Sequence, residues 1–127
     1  MQTTDLLRDL IAFPTVSADP NLALITYCAD LLRDAGGQVN LIKDTTGKKA
    51  NLYATIGPTD RPGVLLSGHT DVVPVTGQNW TVPPFEMTQQ GDRLFGRGTT
   101  DMKGFVASTL SAVIKAGQMN LQTPLHI

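Results

Sequence analysis

Val64-Leu65-Leu66 is an unbroken apolar run set between the turn signal Arg61-Pro62-Gly63 and the polar segment Ser67-Gly68-His69-Thr70-Asp71. A short aliphatic run bounded in this way suits a strand buried on both faces of a sheet. His69 and Asp71 then fall at its carboxyl end, the edge of an open α/β sheet at which ligands bind. His-x-Asp has a chemical logic there. A neutral imidazole is a good ligand for a divalent metal, and a nearby carboxylate can hydrogen-bond the other ring nitrogen and fix the tautomer. Taken alone, His69 reads more simply as a strand-end histidine with its hydrogen bonds satisfied.

A second motif follows in Gly96-Arg97-Gly98-Thr99-Thr100-Asp101-Met102-Lys103-Gly104. Its glycines allow close backbone approaches and positive φ angles that other residues resist. Behind it Phe105, Val106, Leu110, Val113 and Ile114 recur at helical spacing, so Asp101 stands at or just before a helix N-terminus. A carboxylate held there can cap the helix, bind a metal, or do both. Arg97 and Lys103 flank the motif, and a fold-supporting ion pair or a solvated position explains each as well as substrate contact does.

The remaining chain reads as alternating helices and strands. Thr3 or Thr4 can cap a first helix with Leu6, Leu7, Leu10 and Ile11 on one face, ended by Pro14. The Phe13–Ser17 loop reads as packing between helices. Asp19-Pro20 offers a cap and a first helical proline for a second helix, whose face of Leu22, Ile25, Ala29 and Leu32 runs to Gly36-Gly37. Val39 and Leu41, then Leu52, Ala54 and Ile56, alternate with polar residues about the turn 44–49 and predict two strands. Pro74 to Leu94 is a long connection carrying Trp80 and Phe85, which either wall a site or anchor the loop. Arg93-Leu94-Phe95 suits a short strand, Lys103 to Ala116 a helix stopped by Gly117, and Leu121–Ile127 a last strand that risks an unpaired edge. The pattern predicts an α/β fold, a layered sheet with helices on both faces. His126, inside that last strand, reads as a packed or edge histidine.

Composition excludes several functions. In 127 residues the formal charge is -1 and 41% are hydrophobic, which bounds the chain to one domain at most. Lys48-Lys49 is the only basic pair and suits a solvated turn, so no nucleic-acid partner is expected. No apolar run approaches the roughly 20 residues that span a bilayer, and the start lacks signal-peptide order, so no membrane partner and a cytoplasmic location are expected. Cys28, the one cysteine, reads as a packed core thiol.

Together Ser67–Pro74, Trp80-Thr81-Val82-Pro83-Pro84-Phe85 and Gly96–Gly104 resemble the aminoacylase, carboxypeptidase and succinyl-diaminopimelate desuccinylase family of co-catalytic zinc hydrolases. Asp71-Val72-Val73-Pro74-Val75, Gly77-Gln78, Trp80 and Asn51–Pro58 look most like the branch that deacetylates an N2-acetylated amino acid in arginine biosynthesis. The resemblance implies a zinc-exopeptidase-like catalytic domain with two Zn2+ ions per complete site, Co2+ being a possible substitute. It implies that His69 ligates one ion, Asp101 bridges both, and the catalytic-site carboxylate Asp71 orients the histidine. It further implies a cis peptide at Asp101-Met102, a small N-acyl amino acid as substrate, and a homodimer for the full-length protein. Residues 1–127 then form the N-terminal part of the catalytic domain. The general base, the remaining ligands and a lid or dimerisation domain lie outside the sequence, so the fragment alone is expected to be inactive. Two alternatives stay open: succinyl-diaminopimelate desuccinylase or another amidohydrolase or exopeptidase of the family, and a non-catalytic binding or assembly module.

Overall fold

A computed structural model describes residues 1–127. Helix α1 spans Thr3–Ala12, and its N-terminus is closed by Asp5, whose carboxylate accepts the Gln2 N–H at 3.1 Å. The cap residue is therefore Gln2, one position before Thr3. Leu6, Leu10 and Ile11 on its inner face are fully buried. Each such side chain contributes about 1.5–3 kcal/mol of apolar burial.

Helix α2 spans Leu22–Asp34 and starts later than Asp19-Pro20 suggests, with Asn21 as its cap residue. Asn21 spends its side chain elsewhere. Its amide donates to the Ala50 carbonyl at 3.0 Å and accepts the Ala50 N–H at 2.9 Å, which ties the start of α2 to the sheet. The helix runs out at Gly36, whose φ of 82° is a conformation that a side chain resists.

Strands β1 (Gln38–Lys43) and β2 (Ala50–Ile56) form the expected antiparallel hairpin, with Leu41 opposite Leu52. Strand β3 is only Val64–Leu65, and β6 is Leu125–His126. The sheet order is β1-β2-β6-β3, with β6 antiparallel to β2 and parallel to β3. The last strand is thus internal and paired on both sides, contrary to the expected unpaired edge. The edge belongs to β3 instead, and Val64 and Leu65 are 52% and 55% exposed rather than buried on both faces.

The connection after Pro74 carries a small hairpin, β4 (Thr88–Gln90) with β5 (Arg93–Phe95). Helix α3 spans Gly104–Ala116. Gly117 after it keeps a right-handed φ of -60°, and its role is close approach, since a Cβ there would meet the Ala35 carbonyl oxygen at 2.4 Å. The fold is α/β. Buried residues of α1, α2, α3 and β2 form one core, so in this chain the helices gather on the face bearing Ala50, Ala54 and Ile56. Asn51 and Tyr53, of opposite parity on β2, are exposed. Cys28 is buried in that core, which pushes its thiol up to about 12.

Candidate metal site

The segment beyond β3 is held by a distant loop. Val72 pairs with Val16 in a parallel bridge, through Val72 N–H to the Thr15 carbonyl at 2.9 Å and Ser17 N–H to the Val72 carbonyl at 3.0 Å. The Thr15 hydroxyl donates to the Thr70 carbonyl at 2.6 Å, and the Ser17 hydroxyl donates to Asp71 Oδ2. The Phe13–Ser17 loop, read from sequence as packing alone, therefore fixes the backbone on either side of Asp71. The Ser17 hydroxyl is also the main reason that the Asp71 carboxyl lies below the usual carboxylate range, with the His69 ring adding to it.

Asp101 arrives from the other motif. Gly98, with φ of 88°, opens a π-type turn over Thr99–Lys103 that is interrupted at Asp101 (φ -126°, ψ 96°) and Met102. The Asp101-Met102 peptide is cis, as the resemblance implies. Asp101 makes no capping hydrogen bond to α3, so the reading of it as a plain helix cap is not what the backbone uses.

The two motifs meet at His69. Its Nε2 lies 3.0 Å from Asp101 Oδ1, and its Nδ1 lies 3.1 Å from both Asp71 Oδ1 and the Asp71 backbone carbonyl oxygen, its hydrogen-bond partner. Both ring nitrogens thus face carboxylate oxygens. A neutral imidazole has one N–H and satisfies one such contact, so the other calls for a second proton or a cation between nitrogen and oxygen. All three side chains are half-exposed or more.

Lys103 corrects the sequence reading most sharply. It is neither solvated nor ion-paired but fully buried, and its ammonium donates to the carbonyls of Leu10 (2.9 Å) and Phe13 (2.7 Å) at the end of α1. Burial pulls its pKa down to about 8. The side chain clamps the Asp101 turn onto α1, a placement favoured by the negative end of that helix. A signal was present: Lys103 precedes Val106, Ala107 and Leu110 by three, four and seven residues, which puts it on the buried face of α3. Arg97 lies over Trp80, 4.9 Å from the ring, and donates to the Gln78 side chain, as does the Trp80 indole. That cluster anchors the long loop.

The donor set facing a common point is one imidazole and one carboxylate, and no three His, Cys, Asp or Glu side chains are placed to hold one metal ion together. Nitrogen and oxygen donors of this kind suit zinc, yet a catalytic zinc usually has three protein ligands and a water. The residues fit part of such a centre.

Sequence comparison gives the family. Residues 65–127 match the sequence model of peptidase family M20/M25/M40, and the chain carries a domain of that family. It is 41% identical over 135 aligned residues to the acetylornithine deacetylase of Yersinia pseudotuberculosis serotype O:1b, covering 97% of this chain and 34% of that relative. Among solved structures it matches the M20 family metallo-carboxypeptidase Sso-CP2 from Sulfolobus solfataricus with a TM-score of 0.85 and 25% identity, over 99% of this chain and 30% of that one. Human carnosine dipeptidase 1 shares the fold, with a TM-score of 0.83 and 24% identity over 98% and 30% of the two chains. The chain spans about a third of the length of these relatives.

Proposed function

We propose that residues 1–127 are the N-terminal part of the catalytic domain of a zinc amide hydrolase that converts N2-acetyl-L-ornithine to L-ornithine and acetate, in arginine biosynthesis. In this reading His69 Nε2 and Asp101 would hold the zinc, and Asp71 fixes the imidazole from the far side. One observation carries it: both nitrogens of a single imidazole face carboxylates, so one contact needs a positive charge. Bound zinc supplies polarisation of the amide carbonyl and acidification of a water. The chain's own residues do the positioning. Ser17 keeps Asp71 ionised and aimed at Nδ1, Thr15 pins the Thr70 backbone, and Lys103 holds the Asp101 turn against α1.

The substrate assignment is supported by the acetylornithine deacetylases that the chain resembles along nearly all its length. Amide hydrolysis also needs a general base to take the water proton and deliver it to the departing amine. No glutamate follows Glu86 in the sequence, and neither Asp71 nor Asp101 is free for that task in this reading. In this reading the activity belongs to the full-length protein, as a cytoplasmic homodimer, and the 127-residue chain alone does not release acetate. The full-length protein should turn over N2-acetyl-L-ornithine faster than succinylated diaminopimelate. The reverse order reassigns the substrate, and acetate release by the isolated chain, free of host enzyme, overturns its proposed incompleteness.

A further inference from the structure

The motif that carries Asp101 meets His69 at two points. Its Nε2 faces Asp101 Oδ1 at 3.0 Å, and its backbone N–H donates to Sδ of the next residue, Met102, at 3.4 Å. Adjacent residues of a regular helix point about 100° apart and do not converge on one target. Here the turn is interrupted at both positions, with φ and ψ of -126° and 96° at Asp101 and -135° and 31° at Met102. The carboxylate and the thioether therefore reach the same histidine.

The segment before His69 is shaped to receive that side chain. Met102 is half-buried and packs on the core. A Cβ built on Gly68 would lie 3.3 Å from Met102 Cε, 3.3 Å from Phe105 Cδ1 and 3.4 Å from Val106 Cγ2, so the missing side chain gives the thioether its seat against the backbone. An unbranched, polarisable thioether fills such a gap closely, and its sulfur is a weak hydrogen-bond acceptor. Asp71, a neighbour within the same motif, orients the ring at Nδ1 but does not tie His69 to the Asp101 turn. Met102 does.

We propose that Met102 is a positioning residue: its thioether, seated on Gly68, ties the His69 backbone to the Asp101 turn and so sets the separation of the imidazole and the carboxylate. This role rests on the metal reading of His69 and Asp101. It divides one motif between two tasks, with Asp101 supplying a donor oxygen and its neighbour fixing where the partner donor stands.

The test titrates Zn2+ into the isotope-labelled 127-residue chain and follows the His69 ring nitrogens and the His69 amide, with the core amides of Leu24 and Leu32 reporting that each variant is folded. Met102→Leu keeps the apolar volume and removes the acceptor, whereas Met102→Gln returns an acceptor on a chain of similar reach. Met102→Leu should weaken zinc binding at His69 about fivefold or more, and Met102→Gln should recover most of that loss. In the zinc-free chain the His69 amide proton should move upfield in Met102→Leu and return in Met102→Gln. Unchanged zinc affinity in Met102→Leu overturns the proposal, and a loss that Met102→Gln does not recover reduces Met102 to packing and overturns it too. If zinc leaves His69 of the parent chain untouched, the metal reading fails and the amide alone decides the tie, which is overturned by a His69 amide indifferent to both substitutions.

Discussion

Replacing Gly98 by alanine tests how the two motifs are held together. Gly98 has φ of 88°, and a Cβ built on it would lie 2.7 Å from Val72 Cγ1. Val72 follows Asp71, and Gly98 opens the turn that carries Asp101, so this contact sets the spacing of the two carboxylates. Gly77 supplies the control, because its φ is 77° but a Cβ there meets nothing within 4 Å. The left-handed conformation costs an alanine roughly 1–2 kcal/mol at either position. Forcing a methyl group against buried Val72 adds about 1–3 kcal/mol at Gly98 alone. Gly98→Ala should therefore exceed Gly77→Ala by about 1–3 kcal/mol, read as the gap between their urea midpoints with unchanged slopes of about 1–3 kcal/mol/M. In a Val72→Ala background the excess should largely vanish, as a double-mutant cycle would record. Equal costs for the two glycines, or an excess that survives Val72→Ala, would refute this account of how the motifs meet.

Lys103→Met strips the buried carbonyls of Leu10 and Phe13 of their donor and should destabilise the chain by about 1–3 kcal/mol in urea unfolding; a variant as stable as the parent would mean that the clamp contributes nothing net. Burial raises the Tyr27 hydroxyl above its ordinary 10.0, with Asp9 reinforcing it, and raises the Cys28 thiol from 9.0 to about 12. The fold favours the neutral form of both acids, so their contribution is complete below the unfolded values and is lost as pH rises through the folded ones. Thermal stability should fall from about pH 9 upward, and Tyr27→Phe should flatten the decline above about pH 10; an unchanged slope in that variant would contradict the sign. Cys28 should resist iodoacetamide at pH 8 in the folded chain and react once urea unfolds it, followed by mass spectrometry.

The hairpin β1–β2 was legible because alternation and a polar turn are local signals, and His69, Asp71 and Asp101 were legible because each sits in a short motif. What local pattern cannot carry is who meets whom. The insertion of β6 between β2 and β3, the exposure of Val64 and Leu65, and the reach of Ser17 to Asp71 all depend on pairings between segments far apart in the chain. Asn21 and Gln2 show the same limit at helix ends, where Asp19-Pro20 and Thr3 had the better capping chemistry but tertiary hydrogen bonds and the adjacent backbone set the start. Lys103 is different. Its helical register with Val106 and Leu110 placed it inside, and reading its charge before its position led to the wrong surroundings.

The central claim is that His69 Nε2 and Asp101 share a divalent ion while Asp71 holds the opposite ring nitrogen. The chain has two histidines, so side-chain nitrogen resonances followed during a Zn2+ titration separate them cleanly. Zinc should move the Nε2 signal of His69, leave its Nδ1 protonated and leave His126 unchanged, and Asp101→Asn should weaken the response by about tenfold or more. A zinc response at His126 instead, or one at His69 that is indifferent to Asp101→Asn, would contradict the account.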